Sequence, residues 1–231
     1  MKFTDKVLRT GTFVLFFTFM FLEVQGQEDQ SRTLPQFLFP KFTRGVVRMK
    51  TGVSITASLN YNTADEELIS EVNGVYRTTR NPQDIDTIIL QNRKFVPVER
   101  AFYEVLVSGP ATFFLQNKSL LTPIGSPVGY GAKSQSVGPT KYRRYELGSV
   151  VYQYNDVVYI DLPPNIEVTP ASVYWVRKND KMEKFTTERQ LLKIFPEKET
   201  QLKEFIKKEK LNIKIREDLI KLGNYCNELI K

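Results

Sequence analysis

Apolar and polar residues alternate along most of this chain, and the alternation has a period of two. From Val53 to Tyr61 the order is V-S-I-T-A-S-L-N-Y, with Val53, Ile55, Ala57, Leu59 and Tyr61 on one parity and Ser54, Thr56, Ser58 and Asn60 on the other. Successive side chains of a strand point to opposite faces, so the spacing predicts a strand with one buried and one wet face. Gly45 to Lys50 is a second strand just before it, and Lys50-Thr51-Gly52 supplies the turn between them, with Gly52 free to take a positive φ.

The same arrangement recurs. Leu68–Val72 and Val75–Thr79 flank Asn73-Gly74, a strong two-residue hairpin signal. Asp86–Leu90 and Lys94–Val98 flank Gln91-Asn92-Arg93, and Phe102–Val107 and Thr112–Gln116 flank Ser108-Gly109-Pro110. Further on, Leu147–Tyr154 and Val157–Leu162 form a pair, as do Ser172–Arg177 and Lys181–Phe185. Connections this short join antiparallel neighbours, because parallel strands need a long crossover. Pro97 cannot donate to a ladder, so its strand is expected at an edge or at a bulge.

After Phe185 the period changes to that of a helix. Thr187-Glu188-Arg189-Gln190 fits a capping box, and Pro196 stops or restarts the first helix. Glu197–Lys210 and Arg216–Ile230 carry narrow apolar stripes of helices that lie on a surface, either the protein's own sheet or a partner. The fold class is therefore mainly β: an antiparallel meander forming a sandwich, roll or open barrel, with a C-terminal helical segment. The expected organisation is a signal peptide over 1–26, the β domain over 27–185 and the helical segment over 186–231.

The amino-terminal expectation rests on Lys2, Lys6 and Arg9, followed by the uncharged run Gly11–Leu22 and by Val24-Gln25-Gly26. The run is shorter than the about 20 residues that span a bilayer, and cleavage is expected after Gly26. The mature protein is thus expected outside the cytoplasm, periplasmic or extracellular, with no integral membrane span. Leu38, Phe39 and Phe42 then dock the polar start of the mature chain onto the sheet.

Charge adds little. The formal net charge is +7, and from Arg177 onward there are 15 basic and 10 acidic residues, which reads as the solvated face of the helices. Export argues against nucleic acid as a partner. The single cysteine, Cys226, falls on an apolar helix face and reads as a buried thiol.

Candidate chemistry is sparse. The chain has no histidine and one cysteine, which excludes Ser–His–Asp and Cys–His catalysis, thiol redox pairs and histidine-ligated metals. No cofactor motif is present. Asp84 and Asp86 are spaced to share one strand face, about 6–7 Å apart, close to a glycosidase carboxyl pair, although after Asn81-Pro82 they read more simply as a turn entering a strand. The glycine- and proline-rich stretch Leu121–Tyr142 is long for a loop and is the best candidate binding surface, with Gly125, Gly129, Tyr130, Gly131 and Lys133 at its centre. It lacks the spacing of a phosphate-binding loop. Tyr142, Tyr145, Tyr152, Tyr154, Tyr159, Tyr174 and Trp175 could offer flat faces to sugars or peptides, or simply pack within strands.

Three stretches carry a resemblance: F-L-F-P-K-F-T-R-G-V-V-R-M-K-T-G from Phe37, N-P-Q-D-I-D-T-I-I-L-Q-N-R-K-F-V-P-V from Asn81, and L-L-K-I-F-P-E-K-E-T-Q-L-K-E-F-I-K-K-E-K-L-N from Leu191. With these the chain resembles uncharacterised exported proteins of Bacteroidetes-type bacteria. The resemblance implies an envelope location and a β-rich body with a helical end, and it carries no activity or site residues. The functional expectation is a non-catalytic binding or scaffold protein of the cell envelope, whose partner is an envelope protein or glycan. The alternatives are a polysaccharide or peptide hydrolase using carboxylates alone, and a small-ligand carrier in a barrel interior.

Overall fold

A computed structural model describes residues 34–79, 81–124, 127–128, 132–133, 157–162 and 165–230. Ten antiparallel strands build the main sheet. In chain order they are β1 (Thr43–Met49), β2 (Ser54–Asn62), β3 (Glu67–Val72), β4 (Val75–Thr78), β5 (Ile85–Leu90), β6 (Arg93–Val98), β7 (Ala101–Val107), β8 (Ala111–Gln116), β13 (Val173–Lys178) and β14 (Lys181–Phe185). Between the last two pairs lie two small ribbons, β9 (Ser119–Pro123) with β12 (Ile166–Pro170), and β10 (Pro127–Val128) with β11 (Ala132–Lys133). The main sheet runs β14-β13-β8-β7-β6-β5-β1-β2-β3-β4, so it has two edges and is open.

Turn chemistry sets the register. Asn73 and Gly74 take φ of 53° and 75°, Gln91 and Asn92 47° and 60°, and Asn179 and Asp180 50° and 59°. Two successive positive φ values match the twist of the flanking strands, which is why three hairpins close on two residues each. The β1–β2 turn is looser: Gly52 at φ 89° donates to the Met49 carbonyl at 2.9 Å.

The sheet coils so that its inner face holds two apolar clusters side by side. One gathers Leu59, Tyr61, Leu68, Ile88, Phe95 and Phe102 from strands β2, β3, β5, β6 and β7, and Phe39 closes it from the amino-terminal segment. The other lies between the opposite end of the sheet, at Phe113, Val176 and Phe185, and three helices, α1 (Glu188–Ile194), α2 (Glu199–Glu209) and α3 (Arg216–Leu229). The helices bury Leu191, Leu192, Leu202, Leu219, Leu222 and Cys226 there, so the helical stripes meet the protein's own sheet. Thr187 and Gln190 cap α1 reciprocally, as the capping box predicts.

Asn227 ties α3 to the sheet. Its side-chain amide donates to the Ala111 carbonyl at 2.9 Å and accepts from the Ala111 amide at 2.8 Å, standing in for a neighbouring strand. Gly109 leaves room for it, because a Cβ there would come within 2.6 Å of the Asn227 amide.

Several expectations need correction. The Val53–Tyr61 alternation does not translate into one wet face. Ile55 is 49% exposed, whereas Asn60 is buried and bonded to the Phe39 backbone. The first residues of β2 are exposed, and the amino-terminal segment pairs beside its last ones, with Phe37 bridged to Asn62 and the Leu38 amide on the Tyr61 carbonyl at 2.9 Å. Strand β6, which carries Pro97, is interior; its pairing with β5 ends at Ile88–Phe95, and Pro97 is matched only by Phe102 of β7. Of Val157–Leu162, only Val157 pairs, as a single bridge to Arg77. Strand β12 escapes the hairpin pattern because its partner is β9, more than 40 residues earlier, and no short turn joins the two. The expected signal peptide and Leu147–Tyr154 lie outside the described residues.

Candidate functional site

The outer face of the sheet carries a concave, apolar surface with cations along it. Strand register places Lys94, Val105, Phe114 and Trp175 in one row across β6, β7, β8 and β13. Residues directly opposite one another share a face. A second row holds Thr112, Arg177 and Met182. Between and above these rows lies a groove of about 430 Å³ that continues over Val96, Pro97 and Val98 to Ile85, Asp86 and Lys50. Its floor is Phe114, 2% exposed, with the Arg177 guanidinium 5.3 Å from the ring centroid. This geometry suits a cation–π contact that leaves the guanidinium edges open to solvent.

The lining has three cations, Lys50, Lys94 and Arg177, against one carboxylate, Asp86. The Thr87 hydroxyl donates to Asp86 at 2.8 Å. Trp175, opposite Phe114 in register, is stacked on Tyr103 at 5.8 Å between centroids and donates its indole N–H to Gln116 at 3.0 Å. Burial pushes the Tyr103 hydroxyl up to about 12, so it stays a neutral donor and acceptor at ordinary pH.

A charged cluster lies on the opposite face. Glu104 is fully buried where the two apolar clusters meet, since register aligns Phe95, Glu104 and Leu115 in one row. It pairs with Arg93 of β6 and receives Arg216 from the first turn of α3 at 2.6 Å, with Asn117 at 3.5 Å. Arg93 also stands over the Phe39 and Phe95 rings. Burial alone would lower the Arg216 pKa, but the hydrogen bonds and charge of Glu104 and Glu217 outweigh it and raise it. Every ionised group here is committed to another one, which marks a structural junction between sheet and helices.

The chain matches no family model, no curated protein and no solved structure.

The sequence-derived candidates fall as follows. Asp84 ends a 3₁₀ turn (Pro82–Asp84), and only Asp86 belongs to β5, so the two carboxylates are not successive on one strand face. Of the glycine-rich loop, Lys133 sits in β11, and Gly125, Gly129, Tyr130 and Gly131 lie outside the described residues. Tyr142, Tyr145, Tyr152 and Tyr154 are likewise outside them. Among the described residues, no three His, Cys, Asp or Glu side chains are grouped to hold a metal, and no helix is long and apolar enough to cross a membrane. Sequence reasoning missed the groove. The signal was present in Lys94-x-Val96-x-Val98, whose outward parity is apolar with a basic end.

Cys226 is 1% exposed, and burial pushes its thiol up to about 12. A thiol reagent at pH 8 should leave the folded protein unmodified and label it fully once it unfolds. The stability gained by keeping the thiol neutral is complete below the unfolded pKa of about 8.5. Above that the unfolded chain loses the proton first, and stability falls by up to about 1.4 kcal/mol per pH unit until the folded pKa is reached. Thermal melts between pH 8 and 11 should therefore fall more steeply for the wild type than for Cys226→Ala. Equal slopes would show that the thiol does not contribute.

Proposed function

We propose that this chain is a non-catalytic binding or scaffold protein of the bacterial cell envelope, and that it binds through the outer face of its sheet. The observation that carries this reading is the groove over Phe114. A solvent-open hollow floored by Phe114, with three cations in its lining, can seat a ligand, whereas the inner face is filled by the protein's own side chains. The basic amino terminus and apolar Gly11–Leu22 run support the envelope location.

A photo-crosslinking side chain at Met182, in the groove, should give adducts of discrete mass with envelope components. The same group at Lys207, on the exposed face of α2, should give none. Identical patterns at the two positions, or no adduct from Met182 under several growth conditions, would remove the basis for this reading.

A further inference from the structure

The two ends of the groove differ chemically. At one end Lys94 and Arg177 flank the Val105–Phe114 pair, Ser108 offers an exposed hydroxyl, and no carboxylate lies among the lining residues there. The described residues include no ion pair for Lys94 or Arg177. The Thr112 hydroxyl is already donated to the Gly109 carbonyl at 3.2 Å, which leaves Lys94, Arg177 and Ser108 as the donors facing an incoming group. At the other end Ile85, Val96, Pro97 and Val98 form an aliphatic track, and Lys50 and Asp86 offset each other's charge. From Lys94 to Val98 the strand advances about 13 Å at 3.3 Å per residue.

The geometry points to a single-chain anionic amphiphile as the ligand, with a carboxylate or phosphate head seated between Lys94 and Arg177 and its hydrocarbon tail along Val96, Pro97 and Val98. This rests on the binding reading above and names the ligand class for the same groove. Two cations and a hydroxyl with no acidic neighbour make a seat for an anion, since charge-assisted hydrogen bonds are the stronger kind. The track beyond them is aliphatic and suits methylene groups. A sugar would need an open aromatic face, and the one ring on the floor is already under Arg177. An extended peptide would seek backbone pairing at a sheet edge, and this groove crosses the middle of the sheet.

The chain's single tryptophan, Trp175, lies in the same row as Phe114 and reports on the site. Its fluorescence can be followed while dodecanoate, dodecyl phosphate, dodecanol, acetate or inorganic phosphate is added below micelle-forming concentrations. The two long-chain acids should give saturable changes, with dodecanol, acetate and inorganic phosphate each at least tenfold weaker. Lys94→Gln and Arg177→Gln should each weaken the acids by about tenfold, as expected for one charge-assisted contact, while Lys207→Gln on α2 should not. A preference between the two acids identifies the head group, and either preference supports the inference. Equal binding of dodecanol, equal binding of the short anions, no binding of either acid, or indifference to both groove substitutions would overturn it. Adducts from the Met182 crosslinker without acid binding would leave the binding reading standing and remove this inference alone.

Discussion

Replacing Glu104 by glutamine should destabilise the protein by about 3 kcal/mol, read as a shift of the urea midpoint at constant slope. The carboxylate has no solvent exposure and lies against Arg93 and Arg216, whose side chains are 20% and 32% exposed. Glutamine keeps the shape and some hydrogen bonding but removes the one negative charge between two guanidinium groups. Breaking a buried pair strands the surviving charge, and that penalty exceeds what the pair contributes net. Here Arg93 is stranded and Arg216 keeps only the exposed Glu217 at 3.4 Å, each moderated by its partial access to water. The control is therefore the triple variant Glu104→Leu, Arg93→Met, Arg216→Leu. It should recover most of the loss, because an apolar replacement of the three charged groups leaves no buried charge unpaired, and only the long Asn117 contact is lost. Arg216→Leu alone should cost less than Glu104→Gln, since Glu104 keeps Arg93 and Asn117. A Glu104→Gln protein within about 0.5 kcal/mol of wild type would mean that the cluster is not holding sheet and helices together.

Asn227→Ala should cost about 2–6 kcal/mol, because it leaves both backbone groups of the fully buried Ala111 without partners, at about 1–3 kcal/mol for each unsatisfied group. The loss should also be local. Asn227 joins α3 to the β7–β8 turn, and Cys226 is its neighbour in the chain. The variant should therefore become reactive towards thiol reagents at urea concentrations below its midpoint, while the wild type reacts only through global unfolding. A variant with wild-type thiol protection and stability would show that water or a neighbouring strand replaces the amide without loss.

The ten strands of the main sheet and their turns were readable residue by residue, because two-residue turns and period-two alternation are local properties; the two small ribbons were not. The helices were equally readable from Thr187–Gln190 and the apolar stripes of Glu197–Lys210 and Arg216–Ile230. What failed were features that depend on distant neighbours. Asn60 reads as a solvent-facing position until Phe39, 21 residues away, covers it. Pro97 reads as an edge signal, but the β5 ladder simply stops before reaching it. Glu104 was visible as a lone acid in A-F-Y-E-V-L-V, yet its partner Arg216 is 112 residues away and no spacing rule joins them. The groove failed for another reason. Its residues are ordinary outward-facing strand positions, and only the twist of the assembled sheet makes that face concave.

The strand order carries one last consequence. β1 to β4 are each paired to the next in the chain, and so are β5 to β8, but the two ribbons join through β1 and β5, the first strand of each. When synthesis has passed Thr78 but not Leu90, the earlier ribbon is complete and the Thr43–Met49 flank has no neighbour. That flank is held open by Gly45, where a Cβ would come within 2.9 Å of Leu59 and 3.1 Å of the Ile89 carbonyl. A nascent chain thus offers its own template strand to any second molecule that reaches it first, and the correct product depends on β5 arriving sooner.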